Sequence, residues 1–126
     1  GFYCGKGEWF LLTLKNIDFM SQMLPDVSKA SQSLDVSVLH TLILEKIFGI
    51  DKENMAKQIN LTYTKFFTEA IDGVDKGEFQ CSFVLNPTRV TEIRDVAAAG
   101  EKMPQKSTYF YPKMITGMVM NNLGVD

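Results

Sequence analysis

The chain has 126 residues, 45% of them apolar and 22% charged, and a formal net charge of −2. These values are typical of one soluble globular domain and exclude an intrinsically disordered chain. The slight negative charge provides no field that would hold nucleic acid, so we expect no nucleic-acid partner. No apolar run approaches the ~20 residues that cross a membrane, which predicts a cytoplasmic protein without membrane contacts.

The chain contains two cysteines and one histidine. Cys4 and Cys81 lie far apart in sequence, whereas metal sites need clustered ligands and the disulfide frameworks of secreted domains need more cysteines. His40 alone cannot complete a zinc site. We therefore predict two reduced, half-buried thiols in strands and no bound metal.

The first residues predict a β-hairpin. "GKGE" at 5–8 has the composition of a tight turn, and the strand after it, residues 9–15, is so apolar that we expect it inside a sheet. Residues 16–32 are polar and lack a sustained period, which predicts a mobile stretch with few buried contacts and a turn at Pro25–Asp26. The immediate start in a strand is typical of a domain cut from a longer protein. We therefore interpret residues 1–126 as a single domain, the C-terminal fragment of a longer chain.

Residues 33–49, "SLDVSVLHTLILEKIFG", predict the clearest helix. Ser33 or Asp35 can cap its start, and Gly49 stands where a left-handed residue ends a helix. Apolar residues at helical spacing predict its buried face: Val36, Leu39, Ile43 and Ile47. His40 falls on the flank of that face. It is either a half-buried structural histidine or, as the only imidazole, a general base or ligand-binding group.

Strands and helices then alternate along the chain. The pattern predicts a strand at 58–64, a helix at 66–77, a strand at 78–87, a helix at 86–102 that Gly100 ends, and a last strand at 114–123. This alternation favours some parallel pairing, to which the leading hairpin adds antiparallel pairing. We therefore predict an α/β or α+β fold, with a mixed sheet of about five strands and helices packed on it.

The junction "LNPTR", residues 85–89, is the first candidate ligand site. A strand ends there and a helix begins, and free amides at a helix N-terminus bind anions. Arg89 lies within the predicted first turn, and ligands gather at such strand ends in crossover sheets. The simpler interpretation is helix capping by Asn86 and Pro87.

The segment "MPQKSTYFYPK", residues 103–113, is the second candidate. Lysines beside hydroxyls and exposed amides suit phosphate or carboxylate binding. The alternative is a strand with aromatic core residues and solvated lysines. The candidate ligand-binding residues of this segment are Lys106, Ser107, Thr108, Tyr109, Tyr111 and Lys113. We expect the segment to be ordered and partly exposed.

Three strings carry a resemblance to a known family: "LDVSVLH", "LNPTRVTEIRDVAAAGEKMPQKSTYFYPK" and "TGMVMNNL". They resemble the C-terminal part of a bacterial family described as domain of unknown function 1015, whose members often carry the label SpoOJ/ParA/ParB/RepB-like. Members are longer than this chain, and their N-terminal part is related to the ParB–sulfiredoxin group, which includes partition proteins and kinases of free serine. By the same likeness, ten residues occupy the family's motif positions: Asp35, His40, Asn86, Pro87, Lys106, Ser107, Thr108, Tyr109, Tyr111 and Lys113.

The resemblance implies that the chain holds part of a kinase-type phosphotransferase whose other residues lie in an N-terminal partner domain. Lys106 and Lys113 would neutralise phosphate charge, and Asn86 would orient the ligand, with Asp35 and His40 supporting the residues that touch it. ATP and magnesium would bind the full-length protein rather than this fragment. The alternatives are a ParB-like partition accessory, against which the acidity counts, and an oligomerisation domain without catalysis. The sequence assigns no catalytic residue.

Overall fold

The computed structural model describes residues 1–109, which form a mixed α+β domain of short elements. The strands are β1 (Phe2–Tyr3), β2 (Trp9–Phe10) and β3 (Ser82–Phe83). The helices are α1 (Asp18–Met23), α2 (Lys29–Gln32), α3 (Asp35–Val38, continued by a π-helical segment over Leu39–Glu45), α4 (Lys52–Ala56), α5 (Phe67–Asp75) and α6 (Val90–Ala98).

The sheet is smaller than predicted. It has the strand order β2-β1-β3, and both pairings are antiparallel. Within residues 1–109 it therefore has three strands rather than about five, and no parallel pairing joins them. The predicted strand at 114–123 lies outside the described residues. The leading hairpin is confirmed, because Gly5, Lys6 and Gly7 turn the chain with φ values of 92°, 54° and 78°.

The second hairpin strand does not lie inside the sheet. β2 ends at Phe10 and forms an edge, because β1 takes its other partner from β3. Trp9 and Phe10 are 43% and 52% exposed, and Leu11 after them is 85% exposed. The apolar run at 9–15 therefore does not mark a strand buried on both faces within the described part of the chain.

The predicted strand at 58–64 is absent because its backbone starts with two left-handed residues. Gln58 and Asn60 have φ values of 54° and 58°, outside the extended region that residues of a regular strand occupy. They follow α4, a helix that the sequence pattern did not predict. Asp51 caps α4 by accepting a hydrogen bond from the amide of Asn54 at 2.8 Å.

The helix predicted at 33–49 is present, but its buried face differs from the predicted one. Its N-cap is Leu34, without a side-chain hydrogen bond, so capping by Ser33 or Asp35 is wrong. Hydrogen bonds from residue i to i+5 shift side chains around the axis of a π-helix. Thr41 and Leu44 are therefore buried in this segment, whereas Ile47 is 68% exposed.

Helix α6 starts four residues later than Asn86, the cap that the sequence suggested. Its N-cap is Arg89, and Val90 at its first position is 80% exposed. Val96 is fully buried and packs against Leu34 and Val36 in a core cluster beneath α3. Gly100 ends α6 with a φ of 75°, as predicted.

The polar stretch at 16–32 makes more buried contacts than predicted. Gln32 is buried, and its side-chain amide donates to the carbonyls of Leu24 and Val27 at 2.8 and 2.9 Å. Met20 is fully buried as well. The predicted turn at Pro25–Asp26 is present. Buried contacts therefore form at Met20 and Gln32, although most of residues 16–32 are exposed, and the mobility of the stretch stays a prediction.

Glu101 links the start of α2 to the segment after α6 by hydrogen bonds. Its carboxylate accepts hydrogen bonds from the Ser28 amide at 2.6 Å, from the Ser28 hydroxyl at 2.8 Å and from the Ser31 hydroxyl. These bonds, with that of Ser31 the largest contribution, lower the pKa of Glu101. The contact therefore joins two segments that lie about seventy residues apart in the chain.

We expect Ser31→Ala to lower the free energy of unfolding at neutral pH, because it removes a hydrogen bond to the Glu101 carboxylate. Ser33→Ala is the matched control, since its exposed hydroxyl bonds only the carbonyl of Ala30. Because the folded pKa of Glu101 is lowered, the difference should persist above the ordinary carboxyl range and fade as pH falls through the folded pKa. Urea unfolding of both variants measures it, and equal stabilities at neutral pH would contradict it.

Candidate ligand groove

One large groove runs between α3 with its π-helical continuation, α5 and the chain around β3. Its volume is about 1840 Å³, which exceeds the roughly 300–1,000 Å³ of a typical small-molecule site. The residues that the sequence singled out and the structure describes all line it: Asp35, His40, Asn86, Pro87, Arg89, Lys106, Ser107, Thr108 and Tyr109. Tyr111 and Lys113 lie outside the described residues.

Two candidate residues from distant parts of the sequence meet at one end of this groove. The side-chain amide of Asn86 donates to Oδ2 of Asp35 at 2.8 Å. Arg89 lies close enough to Asp35 for the carboxylate to contribute to a raised Arg89 pKa, although Glu92 contributes more. We call this end, with Asp35, Asn86, Arg89 and Glu92, the polar end of the groove.

At the start of α6, the predicted anion site, a carboxylate already accepts a hydrogen bond from one backbone amide. Glu92 reaches back over the first turn, and its carboxylate accepts the amide of Arg89 at 2.7 Å and its guanidinium at 3.0 Å. The backbone hydrogen bond is the main cause of a lowered Glu92 pKa. A negative charge therefore occupies the place where the sequence suggested an anionic ligand.

A tight turn holds Lys106 at the groove. The amide and the hydroxyl of Ser107 both donate to the carbonyl of Pro104, at 3.4 and 2.6 Å. Thr88 donates its hydroxyl to the carbonyl of Ser107 at 2.7 Å, which ties the turn to the polar end. Lys106 has a φ of 60°, a left-handed conformation that glycine adopts without strain and lysine does not. Because the Ser107 hydroxyl donates its proton within the turn, its oxygen can only accept a hydrogen bond from a ligand.

Tyr109 lies at the rim of the groove beside Lys65. Nζ of Lys65 donates to the Tyr109 hydroxyl at 2.9 Å and lies 4.2 Å from the centre of its ring. Tyr109 is exposed and Thr108 half-buried, so the described part of the second candidate segment is partly exposed, as predicted.

His40 is half-buried in the groove wall. Its ring meets the edge of Tyr63 at a centroid distance of 6.4 Å, and burial lowers its pKa, so the imidazole is neutral at neutral pH. No group of three or more histidine, cysteine, aspartate or glutamate side chains within residues 1–109 could hold a metal ion.

Sequence reasoning missed Glu92, Lys65 and Tyr63 as groove residues. The spacing of Arg89 and Glu92, three residues apart at a helix start, is the only one of these contacts with a local signal. Tyr63 belongs to the stretch 58–64 that was predicted to be a strand, so its side chain was assigned to a face of a sheet, and Lys65 follows that stretch in a position for which no element was predicted.

Comparison with protein-family models, with curated proteins and with solved structures found no match to this chain. None of the helices in residues 1–109 has the length and apolar character needed to span a membrane.

Proposed function

We propose that the polar end of the groove binds a small ligand that carries both charge signs, of the amino acid or phosphoamino acid type. The observation that carries the proposal is the meeting of Asp35, Asn86 and Arg89 beside the turn that presents Lys106. Asp35 can accept hydrogen bonds from an ammonium group. Arg89 and Lys106 can neutralise a carboxylate or a phosphate.

The mixed charge of this end favours such a ligand over a simple anion. Glu92 already holds the Arg89 guanidinium, so a phosphate alone would meet a carboxylate at close range. A ligand with an ammonium group beside its acid group would place opposite charges against both Asp35 and Lys106. Amino acids and their phosphate esters have that arrangement.

We propose further that the chain acts as one part of a phosphotransferase of the free-serine-kinase type. Phosphoryl transfer depends mainly on positioning and charge neutralisation, which Lys106 and Arg89 can provide for the substrate. ATP and magnesium would be held chiefly by an N-terminal domain of the same protein. The support is the family resemblance of residues 85–113 together with the convergence of Asn86 and Lys106 on one groove.

Calorimetric titration of the chain with O-phosphoserine, serine and inorganic phosphate tests the ligand class. We expect O-phosphoserine to bind more tightly than inorganic phosphate, because it uses both charge signs. Asp35→Asn keeps the side-chain shape, and it should weaken O-phosphoserine while leaving phosphate unchanged or slightly tighter. Equal affinities for phosphate and O-phosphoserine, or no saturable binding of either, would contradict the proposal.

A second candidate function is self-association, favoured by the exposed edge of β2. Within the described residues its outer side has no partner strand, and Trp9, Phe10 and Leu11 leave apolar surface in solvent. Such an edge can pair with the same strand of a second copy. Sedimentation showing a concentration-dependent dimer that charged substitution of Phe10 abolishes would favour this function.

A further inference from the structure

The register of β1 and β3 brings the two cysteines of the chain together. Phe2 pairs with Phe83 and Tyr3 with Ser82, so one further step along both strands places Cys4 opposite Cys81. This step lies just beyond the last paired residues of the sheet. The two cysteines are far apart in the sequence, and the antiparallel register of β1 and β3 brings them to facing positions.

The hydrogen-bond pattern makes this position suitable for a disulfide. Gly1 and Val84 exchange both of their hydrogen bonds, at 2.7 and 2.9 Å, so they form a hydrogen-bonded pair. Alternation along the ladder then makes Cys4 and Cys81 a non-hydrogen-bonded pair. The amide of Cys4 agrees with this, since it donates to Glu8 on the opposite side of β1, at 3.3 Å. Opposite residues in such a pair have Cα atoms about 4.5 Å apart, within the roughly 4.4–6.8 Å that a disulfide spans.

The environment of the two thiols distinguishes them. Both are free, and Cys4 is exposed whereas Cys81 is half-buried. Burial raises the pKa of Cys81, and the neighbouring Cys4 raises it further, which agrees with their closeness. Cys4 is therefore the thiol that an oxidant in solution reaches first. No third cysteine exists in the sequence to compete for either partner.

We propose that Cys4 and Cys81 form a reversible cross-strand disulfide, so that this end of the sheet is a site of thiol oxidation. With a small disulfide such as oxidised glutathione, the Cys4 thiolate attacks one sulfur, forms a mixed disulfide and releases one glutathione thiolate. The Cys81 thiolate then attacks the Cys4 sulfur and releases the second glutathione. The two cysteine protons pass through solvent to the two released thiolates. The protein loses two electrons, and the glutathione disulfide gains them.

The bond would fasten the N-terminal hairpin to β3. It would join residues that are distant in sequence, and such a cross-link stabilises the folded state mainly by restricting the unfolded chain. β3 leads directly into residues 84–89 at the polar end of the groove, so the cross-link would hold the strand that precedes Asn86 in the chain.

Equilibration of the purified chain with mixtures of reduced and oxidised glutathione tests the inference. We expect both thiols to disappear together and the intact mass to fall by two hydrogen atoms, with full reversal by dithiothreitol. The melting temperature of the oxidised form should rise by roughly 5–15 °C. Cys4→Ser and Cys81→Ser serve as controls, because each can form only a mixed disulfide with glutathione and should show no such rise.

Three results would overturn it. They are retention of both thiols in an oxidising mixture, accumulation of glutathione on both cysteines, and disulfide-linked dimers in place of the internal bond. The mass and thiol count of the unsubstituted chain decide among these outcomes even if a serine variant fails to fold. None of the outcomes depends on ligand binding, so this test stands apart from that of the groove.

Discussion

Replacing Lys106 by alanine should lower the affinity of the groove for O-phosphoserine by roughly ten- to a hundredfold. A charge-assisted contact to a phosphate or carboxylate is worth about 1.5–3 kcal/mol, and Lys106 stands on a turn that Thr88 ties to the polar end. The left-handed conformation of Lys106 costs stability, which agrees with a role of its side chain in binding rather than in folding. Calorimetric titration of the folded variant gives the affinity directly.

Two further variants separate binding from folding. Lys106→Gly removes the same side chain but also relieves the left-handed strain. It should bind as weakly as Lys106→Ala, while its free energy of unfolding should be about 1 kcal/mol higher than that of Lys106→Ala. Lys102→Ala removes an exposed lysine four residues away that does not line the groove, and it should leave the affinity unchanged. Unchanged affinity in both Lys106 variants would show that Lys106 does not bind the ligand and that the turn at 104–107 serves only the packing of the fold.

Replacing Gly73 by alanine should destabilise the fold by about 1–3 kcal/mol, although alanine ordinarily favours a helix. Gly73 lies within α5, where the chain turns back and lays the ring of Phe79 across it. A Cβ atom on Gly73 would stand 2.6 and 2.8 Å from two carbons of that ring, so the ring would have to move. Denaturant unfolding of the variant measures the cost.

A double-mutant cycle with Phe79→Ala tests whether the Phe79 ring causes the loss of stability. In a Phe79→Ala background the obstructing ring is gone, so Gly73→Ala should become neutral or stabilise by about 0.5–1 kcal/mol. A cost that persists in that background would locate the conflict elsewhere. Asp72→Ala, an exposed substitution at the neighbouring position of the same helix, controls for general effects on α5 and should change stability by about 0.5 kcal/mol or less.

Local chemistry predicted the C-terminal ends of the helices better than their N-terminal caps or the pairing of the strands. Gly49, Gly77 and Gly100 all take the left-handed conformation that stops a helix, and the glycine-rich turn of the hairpin forms as predicted. These outcomes depend on a few neighbouring residues. The sheet depends on which strands meet, and the alternation that suggested parallel crossovers carried no information about the antiparallel pairing of β1 with β3.

The strand that was predicted at 58–64 and is absent from the structure illustrates why an alternating pattern alone misleads. Ile59, Leu61 and Tyr63 alternate with polar residues, yet left-handed backbone at Gln58 and Asn60 turns this stretch into a bend after α4. Glutamine and asparagine carry no obligatory turn signal, although asparagine tolerates that conformation better than most residues. The conformation is therefore visible only in the folded backbone.

The sequence singled out several polar residues that line the groove, but not the electrostatics around them. Sequence motifs singled out Asp35, Asn86 and Lys106, and the structure lines one groove with all three. The sequence did not show that Glu92 would reach back to the Arg89 amide and place a carboxylate where free amides were expected. That carboxylate is what turns the hypothesis from a simple anion site to a site for a ligand of mixed charge.

The central claim is that the polar end of the groove is a ligand site, and backbone amide chemical shifts measured by NMR during titration with O-phosphoserine test it most directly. The account predicts saturable shifts, described by one dissociation constant, that are largest at Asn86, Arg89, Lys106 and Thr108. Shifts that stay linear in ligand concentration, or that are largest on α1, α2 or α4 away from the groove, would contradict it.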